Sequence, residues 1–325
     1  MTPFVGLMTV YIVLDPFRVV RKYDSYYEPP TPVTLNRDFV STETFLRHQT
    51  DYRWDSFIMG SSRSGCYQAS DWAPHINSSR IFHFDASGET LYGIHKKLQF
   101  LDQRSDVSLR HILIILDADV LRTTTNSAGI LFVKHPLLSG QSRIAFQLEY
   151  LKAALAVRFM FAYLDYMASH EVKPYMVANS LLGHAPMEYD LRHNEIRAGE
   201  YERLIASDPV AYYEPRKAIF YERSPVQEYY DALILGSQKI LLEEIASILK
   251  RHKTDFRIVI SPLYDQRRLS LADLGFLKRL FGADSVCDYS GINEITLNVR
   301  NYYEDSHYRP HVARRIMAEI YRGGQ

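Results

Sequence analysis

Residues 112–116 read Ile-Leu-Ile-Ile-Leu, five aliphatic side chains in a row between His111 and Asp117. A strand with one face in water alternates apolar and polar residues, whereas an unbroken apolar run is covered on both faces. Five residues closed off by polar neighbours suit a strand rather than a helix. The covering layers have to be helices, as in a parallel sheet. This run therefore points to the α/β class, and the segments around it supply the other strands.

Upstream, residues 57–59 are an apolar run that stops at Gly60 and passes into Ser61-Ser62-Arg63-Ser64-Gly65, a strand ending in a tight turn. Residues 80–84 alternate as a strand and lead to a second small-residue turn, Asp85-Ala86-Ser87-Gly88-Glu89. Leu91, Ile94, Leu98 and Leu101 then recur at helical spacing over residues 89–101. Asp117-Ala118-Asp119 closes the third strand. Downstream, residues 229–252 and 270–281 read as helices, 256–260 and 285–289 as strands, and 310–321 as a last helix opened by Pro310. The expected fold is a three-layer α/β/α sandwich with a mostly parallel five-stranded sheet. In open sheets of this kind the carboxyl ends of the strands face the ligand crevice, which is where the turns at 60–65, 85–89 and 117–119 fall.

Two stretches depart from this rhythm. Residues 121–228 read as a mainly helical insertion, with one long helix over 147–169 and a tyrosine-rich segment after it, either a cover for the crevice or a peripheral enlargement. Residues 1–49 read as a hydrophobic segment followed by an extended Pro-, Tyr- and Thr-rich arm over 22–45. The apolar run at 4–14 rises only about 16 Å as a helix against a bilayer core of about 30 Å. A core-packed first element and the end of a membrane anchor both remain open readings. The remaining domain, 50–325, carries the sheet.

Lysine and arginine total 38 and aspartate and glutamate total 38, so no basic excess points to nucleic acid. The two cysteines, Cys66 and Cys287, rule out a disulfide scaffold and match no zinc-ligand spacing; free thiols are expected. Neither a Gly-x-Gly-x-x-Gly nor a Gly-Lys-Ser/Thr motif is present to support a nucleotide site. No cofactor or metal is implied.

The chemistry-bearing residues lie at strand ends and on the loop before the last helix. A serine hydroxyl becomes a nucleophile when a base takes its proton, and a histidine oriented by a carboxylate is the usual base. Ser62 is the candidate nucleophile and His307 the candidate base. Asp305, two residues before the histidine, is the favoured orienting acid, with Glu304 still open. Arg63 is expected to pair with Asp117 or Asp119, the alternative being a substrate carboxylate or phosphate. Tyr302 and Tyr308 are candidates for stacking on a substrate ring, with packing as the plainer alternative.

Gly60-Ser61-Ser62-Arg63-Ser64 after one strand, Gly88 after the next and Glu304-Asp305-Ser306-His307 near the carboxyl end resemble the first, second and last sequence blocks of the SGNH (GDSL-type) hydrolase superfamily. The closer resemblance is to its membrane-anchored bacterial branch, related to proteins that move acyl groups on cell-envelope polymers. It covers roughly residues 50–120 and 229–322. The resemblance implies a flavodoxin-like sandwich, Ser62 as nucleophile, His307 as general base, and the Ser62 and Gly88 N–H groups as oxyanion donors. It implies an esterase or O-acyltransferase acting on acylated polysaccharide or a small acyl ester, at the periplasmic or outer face of a bacterial envelope, with membrane contact through the N-terminal segment. Two positions depart from the pattern. Where the family places a donor asparagine after the third strand, this chain has Asp117, and an ionised carboxylate cannot donate. The family's acid lies three before the histidine, which is Glu304. The departure at Asp117 leaves a second implied reading, a catalytically silent domain of this type that binds polysaccharide or scaffolds an assembly complex.

Overall fold

The computed structural model describes residues 3–177, 181–183 and 187–322. The chain divides into two compact units, Met1–His48 with Asn126–Ala185, and Gln49–Thr125 with Pro186–Gln325.

The second unit holds the sheet. In chain order its strands are β1 (Ser56–Met59), β2 (Ile81–His83), β3 (His111–Leu116), β4 (Glu188–Asp190), β5 (Glu195–Arg197), β6 (Asp255–Ile260) and β7 (Val286–Asp288). Five of them form one sheet in the order β2-β1-β3-β6-β7, with every neighbouring pair parallel. β4 and β5 make a separate antiparallel pair. The apolar run predicted to be doubly covered is the central β3. Its Leu113 and Ile115 join Ile58 and Val259 in a core closed by Trp72, Val312, Ala313 and Ile316, from helices Ala69–Ile76 and Pro310–Ile320. The alternate residues Phe57, Ile112, Ile114 and Ile258 are as deeply buried. Helices Leu91–Asp102 and Gly236–Arg251 pack side by side and bury Ile94, Leu98, Leu242 and Ile245. The architecture is α/β, with helices flanking a parallel five-stranded sheet, consistent with three layers.

The order is that of a doubly wound sheet, in which the chain reverses direction of growth between β1 and β3 and opens a crevice at their carboxyl ends. Gly60 ends β1 there, and only glycine fits: a Cβ at this position would lie 2.9 Å from the Ile115 carbonyl oxygen. Helix Leu91–Asp102 starts where the sequence signals, with Thr90 Oγ1 accepting the Gly93 N–H at 3.1 Å.

The expected helix at 229–252 begins only at Gly236. Before it, the N–H groups of Leu233 and Ile234 donate to the Asp273 carboxylate (2.7 and 3.0 Å) and Tyr230 N–H donates to the Arg268 carbonyl, so these residues are committed to other partners.

The chain divides within a residue of the boundary expected at 49, whereas the insertion expected over 121–228 is split between the two units. Residues 187–228 belong with the sheet: Asn194 Nδ2 donates to the His83 carbonyl (2.7 Å), and Glu195 accepts the Ala69 N–H (2.8 Å). In the first unit, Phe17, Tyr26, Phe39, Phe146, Tyr150, Phe159 and Met176 share one apolar core. Residues 22–36 form no helix, in line with the expected arm, but the arm is packed into this core through aromatic side chains of both sequence segments. Asn36 Oδ1 accepts the Phe39 N–H at 3.0 Å and opens a helix, Arg37–Tyr52, where the arm was expected to continue. The single helix expected at 147–169 is two, Arg143–Ala154 and Val157–Ser169. Pro3–Leu14 is helical, and no described helix is long and apolar enough to cross a membrane.

Candidate active site

The serine turn is built by its own hydroxyls. Ser64 N–H and Ser64 Oγ both reach back to the Ser61 carbonyl (2.8 and 2.7 Å), winding residues Ser62–Cys66 into a short 3-10 helix directly after β1. Ser61 and Ser64 are buried by this, whereas Ser62 is left exposed at the turn's outer edge. A free thiol, Cys66, closes the helix by donating to the Arg63 carbonyl, and burial pushes its pKa well up, so the buried sulfur stays a thiol.

His307 approaches from the far end of the chain. Tyr302 and Tyr308 form an antiparallel bridge, and the Tyr303 N–H donates to the His307 carbonyl at 2.9 Å, so residues 302–308 fold back as a narrow loop. Its base is anchored in the core. Tyr302 Oη donates to the Pro262 carbonyl (2.9 Å), and Tyr308 Oη meets Tyr67 Oη and Ser261 Oγ at 3.3 Å each. The two tyrosines are fully buried. Their expected role in stacking on substrate is corrected: both rings lie inside the protein and hold the loop.

Residue Ser62 Oγ lies 2.8 Å from His307 Nε2. On the other side of the ring, Nδ1 bonds to Glu304 Oε1. A carboxylate only accepts, so the ring proton sits on Nδ1 and the Nε2 lone pair faces the serine hydroxyl. Glu304 is fixed at its second oxygen too, accepting the Ser306 N–H at 2.7 Å. Burial works against its charge, but the His307 hydrogen bond and charge and the Ser306 N–H outweigh it and hold the carboxyl below its usual range. The orienting acid is therefore Glu304, which corrects the expectation for Asp305. The Asp305 carboxylate accepts the Ser306 hydroxyl at 3.4 Å and lies beside Glu304. Burial and then the neighbouring Glu304 push its pKa up.

The residue after the serine reaches across to the end of β3. Arg63 Nη1 donates to Asp117 Oδ2 at 2.8 Å and to Asp119 Oδ2 at 3.2 Å, Nη2 to Asp119 at 3.3 Å, and Nε to the Ser306 carbonyl at 3.1 Å. Burial disfavours the guanidinium charge, yet Asp117 and then Asp119 more than compensate, and Arg63 is held even more firmly protonated than usual. The expected pairing is present, and it does more than neutralise. One arginine ties the β1 turn, the β3 end and the histidine loop together. Asp117 is buried and doubly used, since its Oδ1 also caps the following helix by accepting the N–H groups of Asp119 and Val120 (2.9 and 3.0 Å). It offers no donor to the crevice.

Gly88 sits at φ +56°, in the left-handed region that glycine enters freely. Its turn is tied to the serine turn by the Ala86 N–H, which donates to the Gly60 carbonyl at 3.2 Å. Among the described residues, neither the Ser62 nor the Gly88 N–H donates a hydrogen bond.

Sequence reading missed the supports of the histidine loop. Tyr212 Oη and Tyr213 Oη donate to the carbonyls of Tyr303 and Tyr302 (3.2 and 2.9 Å), and Arg309 makes a two-pronged pair with Glu202. The tyrosine richness of 201–221 was the available signal, but nothing in spacing tied it to residues 302–309. Beside the serine and histidine, a cavity of about 310 Å³ is lined by Arg63, Asp119, Tyr221, Tyr230, Asp265 and Ser306, among others. No family model matches the chain, and no curated protein matches it.

Proposed function

We propose that the protein is a serine-dependent esterase or O-acyltransferase of SGNH type, with the acyl group carried on Ser62. The observation that carries this reading is the continuous relay of Ser62 Oγ, His307 and Glu304, with 2.8 Å between the hydroxyl and the imidazole. In the first half-reaction Ser62 Oγ attacks the ester carbonyl carbon while His307 Nε2 takes its proton. The carbonyl π electrons move onto oxygen, and the oxyanion faces the Ser62 and Gly88 N–H groups. As the intermediate collapses, the C–O bond to the alcohol breaks and His307 returns its proton to that oxygen. An acyl-serine is left. In the second half, water or an acceptor alcohol attacks the acyl carbon, His307 takes the incoming proton, and the serine oxygen leaves with it. Glu304 stays ionised throughout and stabilises the imidazolium formed in each half. The resemblance of the sequence blocks extends the proposal to acylated polysaccharide at a bacterial envelope, with the N-terminal segment as the point of membrane contact.

A second reading is favoured by one specific observation. Asp117 stands where a donor would complete the oxyanion site, and its carboxylate is already closed by Arg63 and the helix cap. Two donors instead of three suit a slow enzyme or a silent binding domain. The experiment that separates them is labelling with a serine-directed fluorophosphonate. The acyl-transfer reading expects labelling of wild type that disappears in Ser62→Ala. Equal labelling of the two, or none of either, with retained glycan binding, supports the silent domain.

A further inference from the structure

Beneath the Gly88 turn lies a charge pair that the relay does not use. Lys97 and Glu89 are both 0% exposed at the side chain and are bonded to each other, Nζ to Oε2. Lys97 stands on helix Leu91–Asp102, and its ammonium also donates to the Asp85 carbonyl at 3.1 Å. Glu89 uses its other oxygen to accept the Thr90 N–H at 2.9 Å. The Nζ lies 5.1 Å from the centre of the Phe84 ring at the end of β2. One ammonium thus grips both ends of the turn 85–89, the carbonyl before it and the carboxylate after it. Gly88 is held between them.

A fully buried ion pair is a poor device for stability, because desolvation of both ions offsets their attraction, and an apolar pair of similar volume often serves as well. It is directional, however. Glycine at φ +56° has wide backbone freedom, and an oxyanion donor has to point within a fraction of an ångström of the developing charge. From this geometry we propose that Lys97 and Glu89 are positioning residues that fix the direction of the Gly88 N–H. The inference rests on the serine reading above for its catalytic consequence. The clamp itself is a property of the turn and can be measured separately.

The test is the full chain carrying Lys97→Met/Glu89→Leu, which removes both charges together so that neither is left buried alone. Lys97→Met/Glu89→Gln, which also removes both charges but keeps an acceptor for Thr90, serves if the first double variant does not fold. Amide hydrogen exchange is followed at Ala86, the buried amide that ties the turn to the Gly60 carbonyl, and the second-order rate of fluorophosphonate labelling at Ser62. The expected result is a cooperative melt, Ala86 exchange faster by about tenfold or more, and labelling slower by about 10- to 100-fold, the loss from a misplaced oxyanion donor. On p-nitrophenyl acetate the loss should fall on kcat and leave KM within about twofold, because the donor engages only the transition state. Unchanged exchange overturns the clamp. Faster exchange with unchanged labelling and kcat overturns its catalytic role. A wild type that does not label at all overturns the serine reading and the oxyanion role with it, while the exchange result still decides whether the pair holds the turn.

Discussion

The sharpest test of the site is which of two adjacent carboxylates serves His307. Glu304→Gln removes the charge that faces the imidazolium and leaves the side chain's shape in place. Two unit charges about 4 Å apart interact by about 1 kcal/mol in water and about 4 kcal/mol at the effective dielectric near a protein surface. The His307 and Glu304 side chains are 39% and 32% exposed, so the pair lies between those limits. A loss of about 2–3 kcal/mol of transition-state stabilisation corresponds to about 30- to 150-fold in rate. The amide adds to this. Its Nε2 can turn toward Nδ1 and place the ring proton on Nε2, where it faces Ser62 and cannot act as a base; in a buried relay the same exchange costs about 10⁴. For this half-exposed relay we expect kcat on p-nitrophenyl acetate to fall by about 10²–10³ in Glu304→Gln. Asp305→Asn should stay within about threefold of wild type, because the ring nitrogens bond to Glu304 and Ser62. If Asp305→Asn loses the hundredfold and Glu304→Gln does not, the assignment of the relay is wrong.

Three further outcomes follow from neighbouring contacts. Asp305→Asn should raise Tm at neutral pH. Burial and Glu304 raise the native pKa of Asp305, so the folded state holds this proton more tightly than the unfolded chain does. Its contribution to stability is full below the unfolded carboxylate pKa and is lost as pH rises through the native one; the Asn variant's advantage should therefore shrink as pH falls through that window, and an advantage that grows on acidification refutes the sign. On the acyl-transfer reading, Asp117→Asn should slow turnover, and it should destabilise the protein by about 1–3 kcal/mol in urea unfolding, even though it supplies an amide donor. Its Oδ1 still caps the helix, but its Nδ2 then faces Arg63 Nη1, donor against donor; a rate at or above wild type contradicts this. Gly60→Ala places a Cβ 2.9 Å from a β3 carbonyl and should cost about 1–3 kcal/mol, read from the same unfolding curve.

The sheet was legible because its strands carry short-range signals. The run at 112–116 had to be doubly buried, and glycine or small residues marked the ends of β1 and β2. What was not legible depended on contacts distant in sequence. The packing of the N-terminal arm was not legible, because nothing in its own pattern reveals that Tyr26 and Phe39, with Phe17 ahead of them, share a core with Phe146, Tyr150 and Phe159. Residues 229–235 looked helical by apolar spacing, yet Asp273 claims the N–H groups of Leu233 and Ile234. A polar side chain elsewhere in the unit delays the start of the helix.

Within the site, the types of residue were readable and their directions were not. Glu304 and Asp305 differ by one position, and reach alone favoured the shorter spacing. The choice is made by the loop: the Tyr302–Tyr308 bridge folds residues 302–308 back on themselves, and in that fold the side chain three before the histidine meets Nδ1 while its second oxygen finds the Ser306 N–H. Asp117 follows the same logic. Read singly, it is a lost donor beside an oxyanion. In place, it is half of a pair with Arg63, and Arg63 also holds the Ser306 carbonyl one residue before His307. On the acyl-transfer reading proposed above, Asp117 exchanges a donor to the substrate for a strut between the serine turn and the histidine loop. That exchange predicts a site with well-held geometry and modest transition-state stabilisation, so chemistry through Ser62 should be slow before it is absent.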